Sequence, residues 1–148
     1  MDKDIIYRRV NKDEYYLNIA REVSSRSTCV KRQYGCVIVN NDEIIATGYN
    51  GAPRGEMNCS DVGYCTRMNV RHNSGDYSDC HAVHAEQNAL ISAARRDMIN
   101  GILYLYGSDF NLGDKYEIDN PEPCPICLRM IKNSGITKIV TKSKVMEV

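Results

Sequence analysis

The sequence has no net charge: 19 Lys and Arg side chains are balanced by 19 Asp and Glu among its 148 residues. Without a basic excess, a long polyanion is not expected as the main partner, and no nucleic acid is expected. A small anion held by a few local cations stays open. Also missing is any apolar run near the roughly 18 residues that cross a bilayer, so no membrane association is expected. The opening MDKDIIYRRVNKDEYY is polar and charged and lacks the apolar block of a secretion signal. Cytoplasmic localisation is the resulting expectation. There is no internal repeat and no low-complexity stretch.

The length suggests one domain over residues 1–148, large enough to bury roughly two thirds of its unfolded surface without staples. Cysteine is plentiful, with 7 residues. In a reducing compartment an odd number of cysteines points to metal binding or catalysis rather than to a disulfide framework.

Apolar positions Tyr16, Ile19, Ala20 and Val23 recur at helical spacing, behind the N-cap former Asn11 and the acidic pair Asp13 and Glu14. Two β-rich runs, 34–39 and 44–49, flank Asn40, Asn41 and Asp42 and predict a hairpin. Residues 50–80 show no lasting period, and a loop of about 30 residues is normally functional or tied down. A second helix is expected from Val83 to about Arg96, then a strand over 101–107, a loop over 108–123, a helix from Cys124 to Gly135 and one or two closing strands. Helices alternating with the later strands predict an α/β fold, a three-layer α/β/α sandwich whose hairpin makes the sheet mixed.

The chemistry concentrates in two short segments. Cys124 and Cys127 stand three apart at a helix start, so both sulfurs can meet one ion, and the helix terminus favours their thiolates. His84, also at a helix start, is the natural third ligand of a zinc shell that keeps one position for water. Glu86, two residues further on, then serves as a proton shuttle beside the metal rather than as a ligand. The pattern H-x-E with P-C-x-x-C is the signature of zinc nucleobase deaminases, with the glutamate as the non-ligand. Taken alone, H-x-E is nearly uninformative, and CPIC also fits a redox motif or part of a structural zinc site. Only about 20 residues follow Cys127, which argues against a thioredoxin-like arrangement.

Four segments, SRSTCVKRQYGCVIV, GYNGAPRG, VHAEQNALISAAR and PCPICLRMIKNSGITKIV, together resemble the deoxycytidylate branch of the zinc-dependent cytidine deaminase superfamily. That resemblance implies a five-stranded mixed sheet and hydrolysis of dCMP to dUMP and ammonia. A zinc-activated water would attack C4 while Glu86 moves the proton. It places Asn50 at the deoxyribose 3′-hydroxyl and the Ala85 amide at the base's 2-oxo group.

For the phosphate, Arg26, Lys31 and Arg32 are candidates, with Arg26 and Ser27 the first choices. The resemblance further implies a homohexamer activated by dCTP and inhibited by dTTP with Mg2+, and links Arg95 to the nucleotide response. It suggests a second, structural zinc at Cys29 and Cys59, completed by Cys65 and Cys80, with His72 and His81 as alternatives. Cys36 reads as core. The stretch SDFNLGDKYEIDNPE departs from the family pattern near the pocket, which bears on substrate, effectors or subunit contacts. Other deaminase substrates of the same chemistry, a non-catalytic nucleotide-binding protein and a CxxC redox protein are the competing readings.

Overall fold

A computed structural model describes residues 7–66, 80–111 and 113–148. Its elements are α1 (Lys12–Ser24), β1 (Arg32–Asn40), β2 (Glu43–Tyr49), α2 (Cys59–Val62), α3 (Ala85–Ile91), α4 (Arg95–Met98), β3 (Ile102–Asn111), β4 (Asp114–Glu117), α5 (Pro125–Ser134), β5 (Lys138–Val140) and β6 (Val145–Glu147). The sheet runs β2-β1-β3-β5-β6, with β4 added to the side of β3. All pairs are antiparallel except β3 with β5, which α5 connects. The expected five-stranded path is present, and β4 makes a sixth strand.

Helices cover both faces, and the strands show it. Cys36, Val37, Ile38 and Val39 are all buried, because alternate side chains enter two different cores. Val37, Val39, Tyr104 and Val140 pack with Tyr16 and Ala20 of α1. Cys36, Ile38, Leu103, Leu105 and Ile139 pack with Ala85 and Ala89 of α3 and Ile131 of α5.

The caps follow the sequence. The Asn11 side chain accepts the Glu14 amide at 2.8 Å, Pro125 opens α5, and Gly135 closes it at φ 93°. Tyr16 ties α1 to the hairpin turn by donating to the Asp42 carboxylate at 2.6 Å.

Two elements differ from expectation. The helix foreseen over 83–96 stops at Ile91, and a separate short α4 follows. Ser92 bonds back to the Asn88 carbonyl at 2.8 Å, and Ala94 is extended. The break turns Met98 inward to 4% exposure, while Asn40 on β1 donates to the carbonyls of Asp97 and Ile99. The foreseen loop over 108–123 is in its first half a hairpin. β3 runs on to Asn111, and β4 returns from Gly113 at φ 85°. The stretch that follows rests on the β5–β6 turn, with Thr141 donating to Asn120 at 2.9 Å and Lys142 facing Glu117 at 3.2 Å.

Candidate metal centre and substrate cavity

α3 and α5 pack together on one face of the sheet and bring their first residues to the same point. His84 is the N-cap of α3, and its amide donates to Gln87 Oε1 at 2.9 Å. Cys124 is the N-cap of α5, and its sulfur accepts the Cys127 amide at 3.4 Å. A two-way pair between Gly51 and Val83, with bonds of 3.2 and 2.7 Å, fixes the approach to His84.

His84 Nδ1 lies 3.6 Å from Cys124 Sγ and 3.2 Å from Cys127 Sγ. Tetrahedral zinc, with Zn–S about 2.3 Å and Zn–N about 2.0–2.1 Å, places each S···N pair about 3.6 Å apart. Donor types and spacing therefore both fit zinc. Among the described residues this is the only group of three or more such donors within 4.8 Å of one another. All seven cysteines are free thiols.

Helical periodicity makes the His84–Glu86 spacing look unfavourable. The conflict disappears because His84 is not helical. Its φ of −71° and ψ of 153° are extended, so the imidazole leaves the axis while Glu86 enters from the first turn. Glu86 is buried at 5% exposure. Burial pushes its carboxyl above the usual range, partly offset by its own amide and the Cys127 thiol. The Cys127 thiol is in turn pushed up by burial, then by Glu86 and Cys124. A divalent cation at the triad reverses both tendencies, since it favours the anions.

A cavity opens beside this cluster, lined by His84, Glu86, Cys124, Asn50, Tyr34 and Arg32, with Lys31 and Glu122 also on its wall. Asn50, 7% exposed, works as a clip. Its Oδ1 accepts from the Tyr34 amide at 2.8 Å and from Ser27 Oγ at 2.7 Å, and its Nδ2 donates to the Arg32 carbonyl at 2.9 Å. Both Oδ1 lone pairs are engaged, which leaves the second N–H of the amide for another acceptor.

Ala85 is fully buried as the first residue of α3, where an amide has no intrahelical acceptor. Gly48 lets α3 sit this close: a Cβ there would overlap the Ala85 carbonyl and the Ala89 amide. Arg26 is exposed and lies outside the cavity wall, whereas Lys31 and Arg32 are on it. Arg95 donates from Nε to the Asn133 carbonyl at 3.1 Å, tying α4 to the end of α5.

Cys29, Cys65 and Cys80 also line the cavity, and Cys59 begins α2. Burial is the main cause that raises the Cys29 and Cys59 thiols, with the neighbouring cysteines adding to it. The four thiols thus share a neighbourhood without forming a closed ligand group. His81 is exposed, and His72 lies outside the described residues. Sequence reasoning missed Tyr34 and Glu122 as wall residues. Alternation along β1 after Arg32 was the available signal for Tyr34, and the position of Glu122 just before Pro123-Cys124 was the signal for the other.

A mixed sheet flanked by helices, with one imidazole and two thiols meeting between two helix starts, defines an α/β protein with a three-donor zinc-type centre left open on one side. Residues 10–143 match the family described as cytidine and deoxycytidylate deaminase zinc-binding region, and the chain belongs to that family. It is 38% identical over 134 residues to a deoxycytidylate deaminase of Schizosaccharomyces pombe, covering 89% of this chain and 37% of that protein. A deoxycytidylate deaminase of Mycobacterium phage D29 is 36% identical over 138 residues, covering 89% of this chain and 94% of the phage protein. The crystal structure of a dCMP deaminase from cyanophage S-TIM5 in complex with dCMP and dUMP aligns at TM-score 0.63 and 26% identity. That alignment covers 90% of this chain and 82% of the phage chain. No helix among the described residues is long and apolar enough to cross a membrane.

Proposed function

We propose that this protein hydrolyses dCMP to dUMP and ammonia. The observation that carries the reading is a buried carboxylate, Glu86, beside a His84–Cys124–Cys127 group at zinc spacing, in a chain similar to a protein crystallised with dCMP and dUMP. Zinc held by these three side chains supplies the Lewis acid that makes water a nucleophile near neutral pH.

The chain's own residues do the rest. Glu86 takes one proton from the attacking water and gives it to N3 of the ring, then carries that water's second proton to the departing amine as the C4–N bond breaks. Its burial keeps bulk water from competing for that proton. The Ala85 amide holds the 2-oxo group. Asn50, its oxygen already engaged, donates its remaining N–H to the deoxyribose 3′-hydroxyl. Ser27 steadies Asn50, and the phosphate goes to the cavity's basic pair, Lys31 and Arg32, rather than to exposed Arg26.

The same reading includes a structural zinc among Cys29, Cys59, Cys65 and Cys80. Its support is that the Lys31 and Arg32 amides both donate to Cys29 Sγ at 3.4 Å, the pattern that stabilises a ligating thiolate. It also includes a homohexamer controlled by dCTP and by dTTP with Mg2+. An effector at Arg95 would use the guanidinium N–H groups not bonded to Asn133.

Ammonia release by the zinc-loaded protein tests the activity, with dCMP, CMP, deoxycytidine, dCTP and guanine as substrates, each with and without dCTP or dTTP. dCMP is expected to be preferred. Zinc-loaded, folded protein that releases no ammonia from any of them would refute the assignment.

A further inference from the structure

Arg32 and Tyr34 are alternate residues of β1, so both side chains leave the same face of the sheet, toward the cavity. Their partners across β3 are Asp109 and Gly107. Each pair has a function. The Arg32 guanidinium meets the Asp109 carboxylate at 3.5 Å, with the arginine side chain 23% exposed. The Tyr34 ring covers Gly107 so closely that a Cβ there would come within 2.7 Å of ring carbon Cε1 and 3.3 Å of Pro121. The Tyr34 phenol lies beside the Arg32 side chain and stands near Glu86. Arg32 Nε is buried with no acceptor, so the guanidinium is held in place yet not fully satisfied. Asn50 clips the same two residues through their backbones.

We infer that Tyr34 is a positioning residue that holds the Arg32 fork for a substrate phosphate, and so sets preference for the nucleotide over the nucleoside. This rests on the dCMP deaminase reading above. A guanidinium recognises phosphate by a planar pair of N–H groups, which requires a fixed orientation. Gly107 supplies room for the ring, Asp109 steadies one side of the guanidinium and the phenol the other. The remaining N–H groups are left for the anion.

The test compares kcat and KM for dCMP and deoxycytidine in the zinc-loaded wild type, Tyr34→Phe and Arg32→Lys, with melting temperatures as a check on folding. Tyr34→Phe keeps the ring over Gly107. Its KM for dCMP is expected to rise roughly tenfold or more with kcat nearly unchanged, while deoxycytidine kinetics stay put, so selectivity falls by the same factor. Arg32→Lys keeps the charge but loses the fork, and it should lower selectivity at least as far. Equal losses on both substrates, or unchanged selectivity in a folded Tyr34→Phe, overturn the inference. So does a wild type that deaminates both substrates equally well. A wild type with no activity on dCMP instead sinks the underlying activity assignment.

Discussion

Replacing Glu86 by glutamine tests the chemistry most directly. The amide has the size of the carboxylate and fits the same pocket, so packing changes little. What disappears is the capacity to take and return a proton. Glu86 is 5% exposed, so solvent has poor access to replace it. General acid–base catalysis contributes about 10² to 10⁴ in rate, and the upper end is expected where one group serves two successive transfers. At about 1.36 kcal/mol per decade this is roughly 4–5.5 kcal/mol of transition-state stabilisation.

Glu86→Asp keeps the acid but withdraws it by about one methylene. Since a misplacement of about 1 Å can cost about 10²-fold, it should fall between glutamine and wild type. The assay is ammonia release at saturating dCMP, paired with zinc per chain. The zinc bound by His84, Cys124 and Cys127 should be retained in both variants, because Glu86 is placed beside those donors rather than among them. A Glu86→Gln enzyme within tenfold of wild type would remove the shuttle role. Loss of that zinc from the variant would show that Glu86 is a ligand.

Three further predictions rest on other parts of the molecule. Gly48→Ala should destabilise the fold by about 1–3 kcal/mol and lower zinc affinity, because α3 must lift away from β2 and carry His84 with it; calorimetry and metal titration read both effects, and an unperturbed metal affinity would contradict the close approach. Cys124→Ser and Cys127→Ser should each lose catalytic zinc and activity, and dialysis of the wild type against a chelator should lower its melting temperature; a chelated protein with unchanged activity would refute a metal centre. The third concerns alkaline pH. Burial first of all pushes the Tyr34 phenol up to about 12. The folded protein therefore keeps that proton after the unfolded chain has lost it. Stability is full below about pH 10 and falls between about pH 10 and 12, by roughly 2–3 kcal/mol for this group. Melting curves should show a shallower decline in Tyr34→Phe, and an identical decline would remove the assignment.

The sequence by itself determined the start of α1, both ends of α5, the β1–β2 hairpin and the three candidate donors that the fold brings together. Each of these is local: a cap, a turn or a pair of residues on one helical turn carries its own physics wherever it is placed. Tertiary structure decided the rest. His84 takes an extended N-cap conformation, so its spacing to Glu86 ceases to be a helical spacing at all. α3 ends early although SAARRD is good helix sequence, because the core draws in Met98 and Asn40 claims the carbonyls of the next turn. Residues 108–111 and 114–117 pair as strands although the stretch is rich in charge, because β3 has a free side where β5 ends. The cations on the cavity wall are Lys31 and Arg32 rather than Arg26, and the pairing of Arg32 with Asp109 and of Tyr34 with Gly107 joins residues more than seventy positions apart. Such contacts exist only once strand register is set, and register is fixed by burying two faces of a sheet at once, a condition that no local stretch of sequence contains.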